Sequence, residues 1–203
     1  MRPLSRSIIT VSVVIMVAAP GGPSLGGPGP PGFPTTLQVL GDGGGGCGLS
    51  TVPDAVHPLG GTVRMWNGSD TSATIFQRDG FWTKTLAIGG EKFQEVFGAG
   101  TYLSACVPGQ WEAPIKVLPR APRAPSTNSF KVTWADDAAP ATWRYGVQYR
   151  IGQGVWKVWK SGTALRSATF NGLNGKTYFF KARTNRPAAD EKTDWSPLRK
   201  VVT

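Results

Sequence analysis

The stretch Leu173-Asn174-Gly175-Lys176-Thr177-Tyr178-Phe179-Phe180-Lys181-Ala182-Arg183-Thr184 allows very few backbone solutions. Tyr178, Phe180 and Ala182 alternate with Phe179, Lys181 and Arg183. A period of two predicts a β-strand with one buried face, and Asn174-Gly175 predicts the turn that feeds it. The same parity recurs upstream, with Tyr145, Val147 and Tyr149 inward and Arg144, Gln148 and Arg150 outward. Two such amphipathic strands argue for an antiparallel sandwich in the last third of the chain.

Residues 36–119 read as all-β for a different reason. Thr62–Trp66, Ala73–Phe76, Trp82–Leu86, Lys92–Phe97 and Thr101–Ser104 are short and β-prone. Asn-Gly, Asp-Gly, Gly-Gly and Gly-Ala-Gly sequences separate them, and many short strands with such turns imply a sandwich or barrel.

Composition sets the boundaries. The 27 Gly and 17 Pro are spread unevenly and are densest in residues 20–48, with 12 Gly and 6 Pro, a stretch read as unable to form a packed core. Met1 to Ala19 has a basic start at Arg2 and Arg6 and an apolar run from Ile8 to Ala19, which predicts a secretory signal. The run is short for a span of about 30 Å of hydrocarbon, and Pro20 after Ala19 keeps an uncleaved anchor open as the alternative. The predicted division is therefore a signal peptide or short anchor over 1–19, a Gly/Pro-rich linker over 20–35, one β-sandwich over 36–118, a Pro-rich linker over 119–127 and a second sandwich over 128–203. Gly41 to Gly46 lacks the Gly-Lys-Ser/Thr ending of a phosphate-binding loop and reads as a plain loop before Cys47.

The net charge of +10 is lopsided. Residues 20–119 hold five Lys/Arg and seven Asp/Glu, whereas residues 120–203 hold fifteen and five. The basic excess belongs to the last segment and favours polyanionic partners. Arg144, Arg150, Lys181 and Arg183 are the candidate polyanion-binding face, with Trp156, Trp159 and Trp195 on neighbouring segments. The competing account, which we weight more heavily, is a structural cation–π ladder.

Family resemblances sharpen this. Leu173-x-Gly175-x-x-Tyr178 resembles the tyrosine corner of β-sandwiches, where the Tyr hydroxyl bonds the preceding turn. With Phe130-Lys131-Val132-Thr133-Trp134, Tyr145 to Arg150, and Asp194-Trp195-Ser196-Pro197 followed by Val201, residues 128–203 resemble a fibronectin type III domain over their whole length. The Trp–Arg stacks of cytokine-receptor relatives of that fold are what the ladder account implies. Gly61-Thr62-Val63-x-x-Trp66-Asn67, Asp79-Gly80-Phe81, Gly89-Gly90-Glu91-x-Phe93, and Phe97 to Cys106 with Pro108, closing on Ile115-Lys116-Val117, resemble a cupredoxin over roughly residues 58–118. That family holds copper with two His, one Cys and usually a Met. Here Cys106 falls on the Cys position, but Thr74, Gly109 and Glu112 fall near the others. The chain's one His, His57, lies upstream before Pro58 and reads as a turn residue. The resemblance thus implies the fold without its metal, and no cofactor is expected.

Two cysteines in an exported chain predict a Cys47–Cys106 disulfide, with two separate thiols as the alternative. The predicted architecture is all-β, two antiparallel β-sandwich domains, cupredoxin-like and then fibronectin type III. With a single His, no triad and no paired-carboxylate pattern stands out, so the chain is expected not to be an enzyme. The expected function is a secreted or cell-surface binding, adhesion or spacer protein. A copper-binding or redox cupredoxin-type protein is the alternative. The partner is left open between acidic cell-wall or matrix polysaccharide and another surface protein. Nucleic acid ranks below both, and a membrane enters only if the leader is uncleaved.

Overall fold

The computed structural model describes residues 36–41, 47–52, 56–107 and 112–203. The signal segment, the 20–35 linker, the loop 42–46 and Gly109 lie outside the described residues. Nearly every described element is a strand. They are β1 (Thr36–Gly41), β2 (Cys47–Val52), β3 (Val56–His57), β4 (Thr62–Asn67), β5 (Ala73–Gln77), β6 (Thr83–Leu86), β7 (Glu91–Glu95), β8 (Gly100–Val107) and β9 (Ala113–Val117), then β10 (Ser129–Thr133), β11 (Arg144–Ile151), β12 (Lys157–Thr163), β13 (Ser167–Asn171), β14 (Thr177–Arg186), β15 (Glu191–Lys192) and β16 (Arg199–Val202). One 3-10 turn, Pro187–Ala189, interrupts them between β14 and β15.

The first nine strands form two sheets, ordered β2-β1-β4-β7 and β3-β9-β8-β5-β6. The expected strands between 62 and 104 are present, and alternation places Val63, Met65, Ile75 and Ile115 in the core. β1, β2 and β3 were not read from the sequence. Two of their pairings, β1 with β4 and β3 with β9, are parallel within the otherwise antiparallel pattern. His57 is a correction: it is a strand residue on β3, 1% exposed, rather than a turn residue. Asn67, expected in an Asn-Gly turn, is fully buried. Its amide nitrogen donates to the carbonyls of Thr71, Leu86 and Ala87, and its oxygen accepts from Ser69. A buried amide with its bonds made costs little, and it pins the loop between β4 and β5.

The remaining strands form a two-stranded sheet, β10-β13, and a five-stranded sheet, β12-β11-β14-β15 with β16 also on β14. Phe130, Phe170, Phe180 and Tyr149 meet between them at centroid separations of 4.9–6.2 Å. Such aromatic contacts dominate the energetics of a small core. The 119–127 segment, read as a linker, makes one strand-type bridge to the second set of sheets. Arg120 and Thr133 exchange backbone bonds of 2.7 and 2.9 Å.

Residues Phe33–Thr203 make one compact unit. The segment Phe97-Gly98-Ala99-Gly100-Thr101 joins its two sets of sheets. Ala99 N–H donates to Trp134 O, Asp136 N–H to Phe97 O, and Thr101 and Asp194 exchange bonds of 3.0 and 3.2 Å. The Thr184 hydroxyl donates to Ala99 O at 3.1 Å. A Cβ on Gly98 would overlap the Thr184 hydroxyl, and one on Gly100 the Thr193 hydroxyl, so only glycine lets these backbones approach.

Candidate functional site

The β11–β14 register sets Gly146 opposite Arg183, Gln148 opposite Lys181 and Arg150 opposite Phe179. Alternation along β14 then sends Phe179, Lys181 and Arg183 to the outer face, while Tyr178, Phe180 and Ala182 are buried. Two tryptophans from outside these strands fold over that face. Trp156 comes from the turn before β12, and Trp195 from the segment after β15.

The placement of Trp195 has a local cause. Thr193 N–H donates to Thr184 O at 2.9 Å, and Thr184 N–H donates to the Thr193 hydroxyl at 3.1 Å. Ser196 repeats the arrangement with Ala182 at 2.8 and 3.0 Å. Two hydroxyls stand in for strand carbonyls along β14 and hold the intervening Trp195 above it. Thr193 was not among the residues singled out in the sequence, and Ser196 entered only within the Asp194-Trp195-Ser196-Pro197 stretch. Hydroxyl residues three apart around a Trp are the only local trace of this device.

The result is one continuous stack. The Arg150 guanidinium lies 5.2 Å from the Phe179 ring centroid and 4.9 Å from that of Trp156. The Lys181 ammonium lies 4.2 Å from Trp156 and 4.9 Å from Trp195, and the Arg183 guanidinium lies 4.7 Å from Trp195. Each such contact contributes about 0.5–1 kcal/mol where solvent reaches it. Burial lowers the Lys181 pKa from its ordinary value, and the like charges of Arg150 and Arg183 add to the shift. The ion pairs among the described residues, Arg64–Glu91, Arg78 with Glu112 and Asp194, and Arg186–Glu191, involve none of the three stacked cations. Arg150 Nε and Arg183 Nε are buried without a hydrogen-bond partner.

Not every expected member belongs to the stack. Arg144 turns its guanidinium back onto the carbonyls of Ala141 and Trp143 at 2.9 and 2.8 Å. Trp159 packs edge-on to Trp134 and Phe170 at 5.6 and 5.2 Å, half-buried against the core, and its cation contact is Lys160 at 5.5 Å, outside the ladder. The ladder omitted Lys200, which the β14–β16 register sets opposite Phe179, hence on the same outer face, where it is exposed. Beside β16, an open depression of about 480 Å³ is lined by Leu118, Arg123, Leu198, Arg199, Lys200 and Val202, with no carboxylate or imidazole among them.

The tyrosine corner has the expected members and a different bond direction. Leu173 N–H donates to the Tyr178 hydroxyl at 2.7 Å, so the phenol accepts from the turn. Gly175 makes that turn with φ of 67°.

Among the described residues, the positions matching copper ligands have other partners. Cys106 is bonded to Cys47. The Thr74 hydroxyl pairs with that of Thr85, and Glu112 accepts from Arg78. His57 is buried, which lowers its pKa, while a hydrogen bond it donates to the Gly61 backbone works in the raising direction. No group of three His, Cys, Asp or Glu among the described residues is placed to hold a metal ion.

No protein family and no curated protein matches the chain. Among solved structures it is similar to one described as a cytokine receptor complex, at 17% sequence identity and a TM-score of 0.33, covering 72% of this chain and 93% of that one.

Proposed function

We propose that this chain is an exported, non-catalytic binding or spacer module that meets its partner across a preorganised surface. The observation that carries the reading is the Arg150–Lys181–Arg183 stack. Three cations are held in place by aromatic rings and have no carboxylate in ion-pair range among the described residues. Charge left uncompensated on one face attracts oppositely charged partners and speeds their encounter. The Cys47–Cys106 bond supports an oxidising, extracellular or cell-surface compartment. No helix among the described residues is long and apolar enough to cross a membrane. The copper or redox reading is weaker, because its thiolate ligand would be Cys106, whose sulfur is taken by Cys47.

The test is a capture screen of the purified chain against immobilised acidic glycans, neutral glycans and surface proteins, with copper measured on the same sample. Saturable binding to a glycan or surface protein, without metal, is expected. Stoichiometric copper with an intense thiolate-to-copper absorption, or failure to bind any member of the panel, overturns the reading.

A further inference from the structure

We propose that the outer face of β11, β14 and β16 is a track for an extended acidic polysaccharide, whose charged groups lie along Arg183, Lys181, Arg150 and Lys200. The proposal rests on the binding-module reading and names the class of partner.

Three features of the stack select this class. The first is that each indole is already engaged by two of the protein's own cations, Trp156 by Arg150 at 4.9 Å and Lys181 at 4.2 Å, and Trp195 by Lys181 at 4.9 Å and Arg183 at 4.7 Å. Proteins that bind single-stranded nucleic acid offer open aromatic faces on which bases stack. Here the rings are taken up by the protein's own cations. The surface reads charge and offers no platform to a base or a neutral sugar.

The second feature is spacing. Arg150 and Lys181 share Trp156, and Lys181 and Arg183 share Trp195, so the stack sets its three charges out in a row. A chain that carries an acidic group at each repeat can meet them one after another. Lys200, on the same face across β14 from Arg150, continues the row past Phe179.

The third is preorganisation. Long basic side chains lose conformational entropy on binding. Stacking between rings removes much of that loss beforehand. The Nε atoms of Arg150 and Arg183 are buried beside those rings. An exported chain also meets acidic polysaccharide in its own compartment.

The full chain can be tested with heparin, dextran sulfate, uncharged dextran and a single-stranded oligonucleotide. The variants are Lys200→Glu, which lies outside the stack, Lys181→Gln inside it, and Lys92→Glu on exposed β7 as the control. Unfolding curves confirm that each variant folds. The wild type should bind heparin and dextran sulfate in a salt-dependent way, bind the oligonucleotide more weakly, and ignore uncharged dextran. Each of Lys200→Glu and Lys181→Gln should flatten the slope of log affinity against log salt by roughly one, and Lys200→Glu should lower heparin affinity about ten-fold. Lys92→Glu should match the wild type. If Lys181→Gln fails to fold, Lys200→Glu alone decides. Folded track variants with wild-type heparin binding overturn the proposal, as does an equal loss in Lys92→Glu or a tighter hold on the oligonucleotide. Capture by a surface protein with no polyanion binding overturns this proposal and leaves the binding-module reading standing. Binding to nothing removes both.

Discussion

Tyr178 shows how much one side chain does in the second set of sheets. Its ring is 2% exposed, and its hydroxyl takes the Leu173 N–H. Gly172 sits so close that a Cβ there would lie 3.0 Å from the ring. Tyr178→Phe keeps the ring, so the cavity term is small, and it leaves the Leu173 N–H without its acceptor. A loss of about 1 kcal/mol is expected, read as a lower urea midpoint with unchanged slope. A midpoint equal to the wild type's would remove the hydroxyl from any stabilising role. This residue was legible because the whole device spans six positions, from Leu173 to Tyr178, with no long-range pairing needed to bring donor and acceptor together. The direction of the bond was not legible, since a phenol both donates and accepts.

At the level of elements, the informative segment is the entry to β8. The Gly98-Ala99-Gly100-Thr101-Tyr102 sequence resembles a fold signature when read along the chain. In three dimensions its glycines are explained by Thr184 and Thr193, more than 80 positions downstream, against which the backbone lies. Gly98→Ala and Gly100→Ala should each destabilise by about 1–3 kcal/mol, because the added methyl meets a hydroxyl inside packed backbone. The expected signature in thermal unfolding is a lower midpoint for the whole of residues 33–203. An unchanged midpoint would mean that the junction gives way at no cost. The ladder shows the same dependence on pairing. Parity along β14 predicted Lys181 and Arg183 outward, and that holds. Parity could not be carried to Trp156 and Trp159. The β11–β12 pairing shifts register between Tyr145 and Val147 and again between Val147 and Gln148, and Trp156 precedes the first residue of β12. Bulges of this kind break the two-residue count on which inward and outward assignments depend.

For the molecule as a whole, the Cys47–Cys106 bond ties β2 to β8, and so one sheet of the first pair to the other, across a sequence separation of 59. Removing it with the double variant Cys47→Ser, Cys106→Ser should cost about 4 kcal/mol in the chain-entropy description. Urea unfolding with and without reductant checks this. The wild type should lose stability on reduction and the double variant should not respond, whereas insensitivity of the wild type would show that the cross-link restricts the unfolded chain very little. For sandwiches of this size, such a loss is a large share of the total stability.

The all-β character, the buried strand faces and the disulfide partners were all written in the chain, because each depends on short-range periodicity or on there being two cysteines to pair. The order of the ladder, the packing of Trp159 against the core, the capture of Arg144 by the Ala141 and Trp143 carbonyls and the parallel pairing of β1 with β4 were not. Those depend on which strands lie side by side and in which register, and hydrogen bonds between segments far apart in sequence decide that only once the core has closed.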